Sequence, residues 1–207
     1  MRRKISLVFV ILGLLLLLGA AVLAGYFFFE NRSAANLSAA IAQQIQFPEA
    51  SSDPSADVPP SRQKIPDHVL NPNMEMPVTV INGYDCIGVV DISKLDRRLP
   101  VLSSWSYELL RVAPCRYNGS AYTGDLIIAA HNYTAHFGGL STLQIGDRLT
   151  FTDMDCNVFS YDVTEVGTIT PDATEQLLDG NWDLTLFTCT LGNTYRVVVR
   201  CRLLPNS

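Results

Sequence analysis

The chain has 207 residues, a formal net charge of −5 and a hydrophobic share of 48%, enough for one domain of ordinary size plus attachments. The acidic balance leaves no clustered Lys and Arg of the kind that neutralises phosphates, which argues against a nucleic-acid partner. There is no internal repeat, no nucleotide-binding glycine loop, no Cys-x-x-Cys or His-Glu-x-x-His spacing and no recognisable Ca²⁺ loop, so neither a metal nor a cofactor is expected.

The chain opens with M-R-R-K, a basic cap on an uncharged run over residues 5–29. As a helix that run is roughly 37 Å long, more than the ~30 Å hydrocarbon core of a bilayer. A cleaved signal peptide is the rival reading, since Val22-Leu23-Ala24 would pass as a cleavage site. The run is longer than a signal core of about 7 to 15 residues, however, and it continues through Tyr26 to Phe29 as an aromatic girdle. Residues 1–30 are therefore read as a cytoplasmic cap and membrane anchor, with Arg2, Arg3 and Lys4 inside and everything after residue 30 outside.

Residues 31–77 read as an extracellular spacer. Residues 33–46, S-A-A-N-L-S-A-A-I-A-Q-Q-I-Q, are helix-compatible, but the stretch from there to Pro77 holds seven of the chain's eleven prolines. Such a composition buries too little apolar surface to offset chain entropy. As a coil, ~40 residues would hold a domain on the order of 35 Å from the membrane.

From residue 78 to 207 the pattern changes to short apolar runs broken by Gly, Asn, Asp and Pro, the signature of an all-β barrel or sandwich. Strands are expected at 86–91, 98–102, 126–131, 148–153, 158–170, 184–190 and 195–203, with short helices at 104–111 and 171–178. The last two strands form the hairpin T-L-F-T-C-T-L-G-N-T-Y-R-V-V-V-R. A two-residue Gly192-Asn193 turn would set Thr190 opposite Tyr195 and Cys189 opposite Arg196, with Cβ atoms ~4.5 to 5.5 Å apart. Arg200 shares that face but lies roughly 13 Å further along.

A strand cysteine is commonly core filler, whereas a thiol beside a guanidinium can be a nucleophile whose anion, or whose product oxyanion, is stabilised. Arginine stays protonated at neutral pH and cannot serve as a base, so a proton-transfer partner is needed. The three histidines are His68 in the spacer, His131 at a strand end and His136 in the loop after it. His131 is the candidate, and His136 is read as loop structure.

In T-L-F-T-C (185–189) the chain resembles the Thr-Leu-x-Thr-Cys motif of sortases, the membrane-anchored cysteine transpeptidases of Gram-positive bacteria. Y-R-V-V-V (195–199) resembles the strand that carries the family's arginine, and I-A-A-H-N-Y (128–133) its strand-end histidine segment, all three in the family's order. Ala130 stands where many relatives carry glycine, and Asn132-Tyr133 is closer to the class B style. The resemblance implies an eight-stranded sortase-type β-barrel with short helices, preceded by the transmembrane helix. It also implies a thioacyl mechanism at a sorting motif of the Leu-Pro-x-Thr-Gly or Asn-Pro-x-Thr-Asn kind. Cys189 would be the nucleophile, His131 the general acid and base, Arg196 the oxyanion donor, and Thr188 a substrate-binding or strand-supporting neighbour.

The partners so implied are sorting-signal-bearing surface proteins and an amine acceptor, either a peptidoglycan precursor or a pilin lysine. Asp53-Pro54-Ser55 is a poor match for a pilin-type lid, which favours wall anchoring. An exported cysteine protease and a non-catalytic membrane-tethered binding domain are the alternatives. Of the five cysteines, an odd number that leaves at least one thiol unpaired, Cys86, Cys115 and Cys201 read as core residues. Trp105 and Tyr107 are expected to pack the first short helix rather than bind ligand.

Overall fold

A computed structural model of the chain describes residues 2–47, 65–173, 175–178, 181–190, 192 and 194–205, with the side chains of 2–8 left undescribed. The Pro-rich 48–64 stretch, with Asp53-Pro54-Ser55, lies outside the described residues, as do Leu191 and Asn193 of the hairpin turn. Helix α1 (Arg2–Gln44) and the short α2 (Asp67–Leu70) precede strands β1 (Thr79–Ile81), β2 (Tyr84–Ile92) and β3 (Arg97–Leu102). Helix α3 (Tyr107–Leu110) is followed by β4 (Cys115–Asn118), β5 (Leu126–Ala129), β6 (Arg148–Asp153) and β7 (Val158–Ile169), then α4 (Glu175–Leu178), β8 (Leu184–Cys189) and β9 (Arg196–Leu203).

Eight strands run in the order β2-β3-β4-β5-β8-β9-β7-β6, and a β2–β6 pairing closes them into a barrel. Strand β1 adds to β2 beyond the ring. Closure gives each of the eight ring strands a neighbour on both sides, so only the short β1 presents an open edge among the described residues. Two joins, β3–β4 and β5–β8, are parallel. Gly88 sits where β2 is gripped from both sides, and an added Cβ would collide with the Thr152 carbonyl. The interior is filled by alternate residues such as Val90, Ile92, Leu126, Ile128, Leu149 and Phe151, the period-2 pattern of a sheet with one face inward.

Helix α1 departs from the expected division at residue 30. Asn31-Arg32-Ser33 interrupts the hydropathy but contains neither Pro nor Gly, so nothing breaks the hydrogen-bond ladder, and the helix runs on to Gln44. Its second part buries Ala34, Ser38 and Ile41, a helical stripe, on the outside of the barrel, and Ile45 just past its end continues the stripe. There Ile41 and Ile45 join Ile81, Val89, Leu102 and Cys115 in a second apolar cluster, and Gln44 donates to the Asn82 side-chain oxygen at 2.9 Å. Residues 31–44, expected to open a spacer, are instead the docked half of one helix. The barrel is therefore not held off by a coil over these residues. The end of the expected spacer also packs: His68 stacks on Tyr122 at 4.6 Å and Met76 is buried in the main core.

From Phe9 to Phe29 the same helix is exposed, apart from a half-buried Gly13. It is long and apolar enough to cross a membrane, with mean hydropathy 2.5 over its most apolar stretch and no part of that stretch covered by protein.

Candidate active site

Because β5 and β8 are parallel neighbours in the register Ala129↔Phe187, both chains leave the sheet at the same end of the barrel. Cys189 is the last residue of β8, and His131 comes two residues after β5. Cys189 pairs directly with Arg196, the first residue of β9. The Arg196 guanidinium donates from Nη1 to the Cys189 Sγ at 3.1 Å. One residue further on, the Thr190 amide donates to the Tyr195 carbonyl at 2.9 Å, and the Tyr195 amide donates to Thr190 Oγ1 at 3.0 Å. This is the register the sequence implies, with Gly192 at positive φ (81°) in the turn.

Side-chain and backbone ties bracket His131. The Ala130 amide donates to the Phe187 carbonyl at 3.2 Å, and the buried Thr188 hydroxyl donates to the Ala130 carbonyl at 2.8 Å. Past the histidine, Asn132 Nδ2 reaches the Thr190 carbonyl at 3.4 Å. The Thr188 hydroxyl is thus committed to the backbone just ahead of His131.

A cleft of about 280 Å³ brings His131, Cys189, Arg196 and Thr188 together over a floor that includes Ala129 and Phe187. Tyr117, Pro171 and Leu177 add to its walls. Sequence reading had not singled these three out, since they come from separate parts of the chain. Trp105 lies just before α3 and Tyr107 opens it, but contrary to expectation neither is packed away: both are exposed, Trp105 has its ring 5.3 Å from that of Tyr117, and both line this cleft. A second hollow, about 680 Å³, opens on the other side of Cys189 and Thr188 and includes Asn132, His136 and Thr168. Another of about 520 Å³, around Asn73 and Gly119, touches none of the three candidate residues.

Burial lowers the basicity of His131, the positive charge of Arg111 lowers it further, and the Glu30 carboxylate opposes both. At neutral pH the imidazole is therefore neutral and able to accept a proton. His136 is fully buried, and neither ring nitrogen has a well-aligned hydrogen bond, although the nearby Ala34 backbone favours its charged form. Burial and the neighbouring His131 bring it down to about 4. All five cysteines are free thiols. Burial pushes Cys86 up to about 11 and Cys115 and Cys201 up to about 12, which keeps these three protonated and inert. Cys156 is exposed on a turn at φ 67° and lines neither hollow beside Cys189. Arg200 pairs instead with Glu165 at 2.9 Å. The effects of Arg111 and Glu30 on His131 had no local sequence signal, because each lies in a different element from the histidine.

A thiol, a neutral imidazole and a fixed guanidinium converging on one cleft at the end of a closed barrel can carry covalent acyl transfer. A family model described as the sortase domain matches residues 90–204, more than half of the chain, and the chain belongs to the sortase family. It is a transpeptidase-type enzyme of that family.

Among solved structures the chain is similar to sortase C1 from Streptococcus agalactiae, at 26% identity over 71% of this chain and 80% of that one, with a TM-score of 0.55. It is also similar to sortase C1 from Streptococcus suis, at 28% identity over 59% of this chain and 74% of that one, TM-score 0.52. A third is a Clostridium perfringens sortase D5 transpeptidase, at 25% identity over 61% of this chain and 83% of that one, TM-score 0.52. These neighbours carry two different class names, and what they share with this chain is the family's barrel. No curated protein matches the chain.

Proposed function

We propose that the chain is a single-pass membrane transpeptidase whose catalytic domain, residues 78–207, lies outside the cell and acts through Cys189, His131 and Arg196. The observation that carries this reading is the 3.1 Å contact from Arg196 to the Cys189 sulfur, in a cleft that His131 also lines. His131 takes the thiol proton as Sγ adds to the carbonyl carbon at a sorting motif of the Leu-Pro-x-Thr-Gly or Asn-Pro-x-Thr-Asn kind. The oxyanion that forms takes the hydrogen bond that Arg196 now gives the sulfur.

Collapse of that intermediate expels an amine, which receives the proton held on His131, and leaves a thioester on Cys189. An acceptor amine, from a peptidoglycan precursor or a pilin lysine, then attacks the thioester and gives a proton to His131, which passes it to the departing Cys189 sulfur and so restores the thiol and the neutral imidazole. Thr188 acts as a positioning residue through Ala130 rather than by touching substrate.

Intact-mass spectrometry of the purified chain with a panel of sorting-motif peptides and an added amine tests this reading. A thioacyl adduct and an amine-linked product, both abolished by Cys189→Ala, are expected. Hydrolysis alone would point to a protease, and intact peptides throughout to a non-catalytic domain.

A further inference from the structure

The footprint of the barrel on α1 begins where the apolar run ends. Phe29 is exposed, Glu30 and Asn31 are half-buried, and the Asn31 Oδ1 is enclosed by protein. The order of contacts along the helix then fixes the direction of the barrel. At the Glu30 level are Tyr133 and His131, with rings 4.9 Å apart, and Arg111, whose charge reaches both Tyr133 and His131. One turn on, Ala34 backs His136, and at the far end Gln44 bonds to Asn82. Glu30 to Gln44 is about 21 Å of helix. The catalytic end of the barrel therefore faces the membrane exit of α1, and the β1–β2 turn points away from it.

We propose that the Cys189 cleft is held against the lipid headgroup layer of the membrane that α1 crosses, with Tyr133 and Arg111 as its lipid-facing rim. The inference rests on the anchor reading of α1 and adds an interaction surface to the proposed function. Tyrosine and arginine suit that layer, one with an apolar ring and a polar tip, the other with a stem that extends toward headgroup phosphates. Tyr107, 73% exposed and one turn before Arg111, continues the same edge. A substrate reaching the cleft would thus be a peptide lying close to the bilayer surface.

The test uses the full chain in nanodiscs of phosphatidylcholine and phosphatidylglycerol, carrying Cys156→Ser and Cys189→Ala so that a single added cysteine takes a fluorophore. Three sites are labelled in turn: Leu16→Cys within the span, Thr134→Cys on the exposed loop beside Tyr133, and Val80→Cys at the distal end. A quencher on the lipid chains should quench Leu16→Cys. A quencher on the headgroups should quench Thr134→Cys at least about threefold more than Val80→Cys. Ten Gly and Ser residues inserted between Phe29 and Glu30 should remove that difference while leaving Leu16→Cys quenched.

Quenching of Leu16→Cys with Thr134→Cys and Val80→Cys alike would overturn the headgroup contact but leave the anchor standing. No quenching of Leu16→Cys would overturn the anchor and the contact with it. A threefold difference that survives the insertion would overturn the role of α1 in setting it.

Discussion

The hydroxyl of Thr188, the residue before Cys189, donates at 2.8 Å to the carbonyl of Ala130, the residue before His131. The two side chains proposed to react, far apart in sequence, are therefore coupled through their immediate predecessors. Thr188→Val keeps the shape and removes the donor, leaving the carbonyl of buried Ala130 without that partner. A loss of about 1 to 2 kcal/mol in stability is expected from denaturant unfolding. If the bond positions His131, kcat falls about tenfold with KM little changed, and Thr188→Ser restores it. An equal kcat in Thr188→Val would show that the bond serves stability alone.

Arg196 faces Cys189 with a planar fork of donors rather than a point charge. Arg196→Lys should lose much of the activity of the native enzyme, and Arg196→Ala about 10² to 10³ in kcat/KM, the magnitude of an oxyanion donor. Steady-state kinetics on a sorting-motif peptide would measure both. Near-native turnover in Arg196→Ala would remove the arginine from the mechanism.

His131 feels Arg111 and Glu30 with opposite sign. Arg111→Gln removes a positive neighbour, so the imidazole becomes more basic and the acid limb of kcat/KM moves to higher pH. Glu30→Gln does the reverse. NMR titration of a chain with only three histidines can follow His131 directly. Movement of both variants in the same direction would contradict the placement of α1 beside the site.

His136 stays neutral in the fold down to about 4, against an ordinary value of 6.5. Between those limits the unfolded chain binds a proton that the folded chain refuses, so stability rises with pH across the window and is flat above it. The total is on the order of 3 kcal/mol. Urea midpoints measured from pH 7 to pH 4.5 should fall more steeply for the native chain than for His136→Gln. Identical slopes would mean that His136 protonates without cost.

Most of the barrel was legible because its strands alternate. The seven strands expected from periodicity lie within two residues of those observed, and the hairpin register followed from one Gly-Asn turn. Strand β4 was not legible: Cys115-Arg116-Tyr117-Asn118 is four residues long with only Cys115 buried, and Pro114 and Gly119 make it read as a loop. Strand β1, with one buried residue in three, gave even less pattern. The length of α1 was misread because polarity at Asn31-Arg32-Ser33 marks a change of surroundings, from exposed apolar span to docked helix, rather than a change of backbone. His136 was placed correctly in a loop, but its burial depends on α1, about 100 residues earlier in the chain, and no local pattern records such a contact.

The parallel β5–β8 pair separates the placing of His131 and Cys189 from the shaping of the cleft wall. The bonded pair Ala130 and Thr188 is 58 residues apart, and β6, β7 and α4 fill the interval. The hydrogen-bonded register of two adjacent strands fixes the distance from histidine to cysteine, whatever the length of the excursion between them. Insertions and deletions in its connecting loops, outside β6 and β7, carry little entropic cost to the fold and would reshape the cleft wall at Pro171 and Leu177 while leaving His131 and Cys189 in place. On this barrel the cleft wall can therefore vary without moving the pair of residues proposed to react.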